Sequence, residues 1–134
     1  MKHYHVVAAA IEKDGKIFCC QRGKEKECAD KWEFPGGKIE VGETNEEALM
    51  REIKEELNAQ IRVDEYVTTI NHQYETFSIT MDIYFCTLEK EEVKLIEHQD
   101  SVWCDVNQLD TIDFAEADAK AIQQIQYIYN NKKG

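Results

Sequence analysis

Apolar residues fall along the 134-residue chain in two rhythms, and the switches between them mark the elements. Residues 5–11 (HVVAAAI) form a continuous apolar run, the pattern of a strand buried on both faces. Asp14-Gly15 is a strong hairpin signal, so residues 17–21 are expected to pair back on that strand. Residues 22–31 are charged and without period, which predicts a loop. Residues 32–34 form a short extended piece, because Pro35 biases Phe34 away from helix, and Gly36-Gly37 then leaves the backbone unusually free. Residues 44–57 switch to helical spacing, with Ala48, Leu49, Ile53 and Leu57 as the apolar stripe. Thr44 and Glu47 fit a capping box at its start, and Asn58 suits a left-handed cap at its end. Two long strands follow, over residues 61–71 and 77–88; in the second, Phe77, Ile79, Met81, Ile83 and Phe85 alternate with polar or smaller residues. Residues 102–104 read as a short strand, 106–109 as one helical turn, and 115–129 as a second long helix with Ala119, Ile122, Ile125 and Ile128 on one face. Strands on both sides of a central helix, closed by a final helix, predict an α/β (α+β) sandwich with a mixed sheet between helices.

Composition narrows this picture. The length suits a single domain over residues 1–134, and 43% hydrophobic residues can build its core. A net charge of −11 argues against nucleic acid polymers, whose binding is driven by Lys and Arg on phosphates. A single nucleotide stays compatible, because a cation can mask local acidity. The five cysteines, Cys19, Cys20, Cys28, Cys86 and Cys104, are odd in number and contain no C-x-x-C pair, so neither a disulfide framework nor a zinc site follows. Adjacent Cys19 and Cys20 would point to opposite faces of a strand. Reduced, buried thiols suit a cytoplasmic protein. The first ten residues lack the apolar run of a secretory leader, and no stretch approaches the ~20 apolar residues of a membrane span.

The candidate chemistry lies on the first helix. Glu52, Glu55 and Glu56 are three and four positions apart and share a face, near the C-terminal end. Like charges at this spacing repel, and they oppose the helix dipole. A solvated acidic face is the plain structural reading. The functional one is a divalent cation bound among the carboxylates, and oxygen-only ligands select Mg²⁺, Mn²⁺ or Ca²⁺.

Residues 37–59, GKIEVGETNEEALMREIKEELNA, resemble the Nudix box, G-x5-E-x7-R-E-U-x-E-E-x-G-U with U aliphatic. Gly37, Glu43, Arg51-Glu52, Ile53 and Glu55-Glu56 occupy its fixed positions, while Asn58 and Ala59 replace its late glycine and aliphatic residue. The lead-in Trp32–Glu40 resembles the MutT-like branch, which includes 8-oxo-dGTP diphosphatases and CTP pyrophosphohydrolases. The resemblance implies Mg²⁺, or Mn²⁺, held by Glu52, Glu55, Glu56, Glu97 and the Gly36 carbonyl. It implies that Glu43 and Arg51 pair and orient the catalytic helix, with Glu52 as leading candidate for the base and Glu97 second. Arg22 and Lys38 would contact phosphate, and Phe34 and Asp118 the base, with Tyr74 and Phe77 as possible pocket walls. Asp118 stands where MutT has Asn; as an ionised acceptor it suits an exocyclic amino group such as cytosine N4, and as a neutral acid it can read an oxo-purine. It can equally be a favourable charge in a helix's first turn. His98 reads as a surface histidine. The implied reaction is hydrolysis of a (deoxy)nucleoside triphosphate to monophosphate and pyrophosphate, by a monomer or homodimer. The alternatives are hydrolysis of a nucleoside diphosphate derivative, such as ADP-ribose or a nucleotide sugar, and a non-catalytic nucleotide-binding module.

Overall fold

The computed structural model describes residues 1–90 and 92–133. The apolar run expected over residues 5–11 is the middle of a longer strand, β1 (Lys2–Lys13), at the centre of a mixed sheet. Its residues 7–11 are buried on both faces. Val7, Ala9 and Ile11 meet one core cluster, and Ala8 and Ala10 meet the other. The Asp14-Gly15 hairpin forms as read, with φ of 51° and 79°, and leads into β2 (Lys16–Gln21). After β3 (Trp32–Glu33) the chain enters β4 (Gly36–Lys38), antiparallel to β1.

This strand corrects the expectation of a free Gly-Gly loop. Neither glycine has a positive φ; each is required for space. A Cβ on Gly36 would lie 1.9 Å from the Val7 carbonyl oxygen, and one on Gly37 would lie 2.0 Å from Glu52 Oε2.

Helix α1 (Asn45–Leu57) starts at the foreseen capping box: Thr44 Oγ1 accepts from the Glu47 N–H, and the Glu47 carboxylate accepts from the Thr44 N–H. It ends at Asn58 with φ 50°, whose N–H reaches the Lys54 carbonyl. Ala48, Leu49, Ile53 and Leu57 are wholly buried against β1 and its neighbours, each large side chain contributing roughly 1.5–3 kcal/mol. Strands β5 (Ile61–Gln73) and β6 (Phe77–Leu88) form a long antiparallel pair, and β6 runs parallel to β1. Strand β7 (Asp100–Asp105) pairs with β2 and precedes a 3₁₀ helix, Val106–Thr111.

The final helix is not continuous as the periodicity suggested. It divides into α2 (Glu116–Ala119) and α3 (Ile122–Lys133). Between them an i→i−3 bond from Ala121 N–H to the Asp118 carbonyl tightens the turn. The cause is tertiary: Asp118 is tied to the Phe34 N–H and Ala117 N–H to the Tyr74 hydroxyl, while Ala121 and Ile125 pack beneath the sheet. With α1 on one face and α2–α3 on the other, the mixed sheet lies between helices as foreseen. Among the described residues, no helix is long and apolar enough to cross a membrane.

Cys19 and Cys20 do face opposite cores, and Cys86 and Cys104 are also buried; Cys28, at φ 56° in the 22–31 loop, is half-buried on the wall of a cavity.

Candidate active site

Arg51 organises the acidic face of α1. Its Nε and Nη2 donate to the two oxygens of Glu43 at 2.6 and 2.9 Å, the bidentate geometry that suits a guanidinium and a carboxylate. Nη1 donates to Glu52 Oε1 at 2.8 Å and lies 3.3 Å from Glu55, and Nη2 also reaches the Lys38 carbonyl. One cation thus ties the loop before the helix, strand β4 and the carboxylates to a single frame. The Arg51 hydrogen bonds hold the Glu43 carboxyl down at about 2.

Glu56 and Glu52 are shifted the other way. Glu56 is only 8% exposed and accepts from the Gly36 N–H at 3.2 Å. Burial first, then Glu33, Glu52 and Glu97, push its carboxyl up to about 9. Burial also raises Glu52, opposed by Arg51 and reinforced by Glu55 and Glu97. Glu97 is exposed, yet its charge is felt by both. This concentration of mutually repelling oxygen donors is what a hard divalent cation relieves, so the residues present fit one.

A cavity of about 670 Å³ is lined by Glu52, Glu55, Glu56 and Glu97. Glu33, Gly36 and Gly37 share its wall; Arg22 and Lys38 line it as well, as do Phe34, Tyr74, Phe77, Met81 and Asp118. Lys38 Nζ sits 4.1 Å from the Tyr4 ring centre, and Arg22 donates to Glu33 at 2.7 Å. Phe34 packs on Phe114 with ring centres 4.8 Å apart, and Tyr74 stacks on Phe77 at 4.8 Å. Asp118, 6% exposed, accepts from the Phe34 N–H at 3.0 Å. Burial, then the charge of Glu33, raises its carboxyl above the usual range. It is buried in the cavity wall, within the first turn of α2.

Two features escaped sequence reasoning. His98 is not a surface residue: its side chain is 5% exposed, and its ring bonds Glu33 Oε2 at 2.7 Å. Glu33, whose other oxygen takes Arg22, drew no attention because its partners lie 11 and 65 positions away. Cys20, Glu33 and His98 place ligand-type atoms within 4.8 Å of one another. Both Glu33 oxygens are already engaged, however, and burial holds the Cys20 thiol well above its usual range. The group is a hydrogen-bonded brace.

Fold and cavity together set an acidic helix face and a pocket with aromatic and apolar walls around one space. The match to the NUDIX domain covers residues 6–124, and the chain belongs to the Nudix hydrolase family. Within it, the similarity runs to the MutT type. The chain is 36% identical over 123 residues to the CTP pyrophosphohydrolase of Escherichia coli (strain K12), covering 92% of this chain and 91% of that one. It is 34% identical over 121 residues to the 8-oxo-dGTP diphosphatase of Haemophilus influenzae, covering 89% of each. The solution NMR structure of the DNA mismatch repair protein MutT (family Nudix hydrolase) from methicillin resistant Staphylococcus aureus 252 aligns with a TM-score of 0.76 at 41% identity, covering 95% of this chain and 98% of that one.

Proposed function

We propose that the chain, acting as a single cytoplasmic domain over residues 1–134, hydrolyses a (deoxy)nucleoside triphosphate to the monophosphate and pyrophosphate with Mg²⁺, or Mn²⁺, as cofactor. One observation carries this reading: a single cavity joins the carboxylate face of α1 to a buried, hydrogen-bonding acid beside aromatic rings. Glu52, Glu55, Glu56 and Glu97, with the Gly36 carbonyl, would hold the metal. When bound, it neutralises phosphate oxygens and lowers the pKa of a water molecule.

The protein's own groups do the rest. Arg51 and Glu43 fix α1 against β4, so that Glu52 stays aimed at the cavity. Glu52 is the leading acceptor for the water's proton, with Glu97 second. Arg22 and Lys38 meet the phosphates from the cavity wall. Phe34, Tyr74 and Phe77 offer ring surfaces to a base. A raised Asp118 carboxyl favours the neutral acid, which presents one donor and one acceptor. That pair matches the N3/N4–H edge of cytosine and the O6/N1–H edge of guanine, so cytosine and 8-oxoguanine nucleotides are the substrates to test. The likeness to a CTP pyrophosphohydrolase over 92% of the chain puts cytosine first.

The test is pyrophosphate release with Mg²⁺ from CTP, dCTP, 5-methyl-dCTP and 8-oxo-dGTP, extended to ADP-ribose and nucleotide sugars. Turnover of at least one triphosphate is expected, with preference among bases flattened in Asp118→Ala. Failure to hydrolyse any triphosphate overturns the proposal.

A further inference from the structure

Glu97 belongs to an irregular strap, residues 92–99, that crosses the C-terminal end of α1. Upstream, the Lys94 and Ile96 N–H groups donate to the Leu57 and Glu56 carbonyls at 2.8 and 3.0 Å. Downstream, the Gln99 N–H reaches the Gln21 carbonyl at 3.1 Å. Between these anchors the two side chains part: Glu97 is exposed on the cavity wall, and His98 turns inward to donate through Nε2 to Glu33 Oε2. His98 Nδ1 is buried without a hydrogen-bond partner among the described residues. An orphaned ring nitrogen costs stability, and an apolar side chain would fill the same space without that cost. The ring supplies instead a fixed, directional tie between the strap and β3. Glu33 is itself held by Arg22, so the tie ends on a braced group.

We infer that His98 is a positioning residue: through Glu33 it sets where Glu97 stands relative to Glu52 and Glu56. This rests on the proposed role of Glu97 at the metal.

The experiment compares His98→Ala, His98→Gln, Glu97→Gln and the double variant Glu97→Gln/His98→Ala. It measures kcat, nucleotide KM, the Mg²⁺ concentration giving half activity, and Tm. Loss of a group that orients a metal ligand costs about tenfold to hundredfold in metal affinity or activity. His98→Ala is therefore expected to lower kcat and raise the Mg²⁺ requirement in that range, with a smaller change in KM. His98→Gln, which can place an amide N–H near the Nε2 position, should restore most of the loss. In the double variant His98→Ala should add nothing to Glu97→Gln. Multiplying losses in the double variant, or an unaltered Mg²⁺ requirement in His98→Ala while Glu97→Gln is impaired, overturns the positioning role. Full turnover by Glu97→Gln alone overturns the role of Glu97, and the positioning role with it. His98→Leu, which fills the space without a donor, takes the place of His98→Ala if that variant does not fold, with the same outcomes.

Discussion

Gly36 and Gly37 are neighbours, yet alanine at each should fail for a different reason. A Cβ at Gly36 meets main chain, 1.9 Å from the Val7 carbonyl oxygen and 2.8 Å from the Ala8 Cα. Relief to an ordinary 3.4 Å contact needs about 1.5 Å of separation between β4 and β1. That movement breaks the Ala9 N–H bond to the Pro35 carbonyl, the Gly36 N–H bond to Glu56 and part of the β1–β4 ladder. Three such bonds at roughly 1 kcal/mol each give a loss of about 2–4 kcal/mol. At about 4 °C per kcal/mol for a chain of this size, Tm should fall by about 8–16 °C. A Cβ at Gly37 meets instead the mobile end of a side chain, Glu52 Oε2 at 2.0 Å and Cδ at 2.3 Å. The carboxylate can swing aside, leaving Arg51, and the fold should survive with Tm within about 3 °C of the parent. The displacement is about 1.4 Å at Glu52, the base of the proposed reaction, and misplacement by about 1 Å costs on the order of 100-fold in rate. Differential scanning fluorimetry and a pyrophosphate-release assay on the two variants separate the effects. A Gly37→Ala protein with parental kcat, or a Gly36→Ala protein with parental Tm, refutes this account of the glycine pair.

Three further outcomes follow from the same geometry. Glu56 is held at about 9 against an ordinary 4.5, so between these limits the folded metal-free protein keeps a proton that the unfolded chain has lost. Its stability contribution is complete below 4.5 and is lost as pH climbs toward 9, by at most about 1.4 kcal/mol per pH unit. Because a cation needs the ionised carboxylate, the Tm gain from Mg²⁺ should be larger at about pH 8.5 than at about pH 6, and an equal gain at both would contradict the assignment. Arg51→Lys keeps the charge but loses the fork that grips Glu43 and Glu52, so kcat should drop by about tenfold or more while the far-ultraviolet circular dichroism spectrum is retained. Parental kcat would show that the fork is dispensable. Thr44→Ala removes half of the capping box at the far end of α1, costing about 1 kcal/mol and thus about 4 °C in Tm, with turnover little changed; an unshifted melting curve would discount the cap.

What could be read from the chain beforehand was local. The capping box, the left-handed Asn58, the Asp-Gly hairpin and the carboxylates of α1 all have their causes within a few residues. The alternation in β6 named the strand, although β1 and β5 extend beyond their apolar runs because pairing with neighbours carries polar residues such as His3 and His72 into the ladder. The missed features depend on distant partners. Glu33 and His98 acquire meaning only when β3 and the strap meet, and Tyr74 holds the start of α2 across 43 positions. Nor does periodicity reveal that α2 and α3 separate, since no glycine or proline marks the break.

The distribution of thiols has a practical consequence. Four of the five cysteines are buried in the two cores, and only Cys28 is partly open to solvent, beside the Tyr74 that lines the same cavity. A maleimide dye should therefore label the native protein at one position without any engineered cysteine. The rate of that labelling, slowed by a ligand in the neighbouring space, gives a direct optical readout of occupancy that needs no turnover.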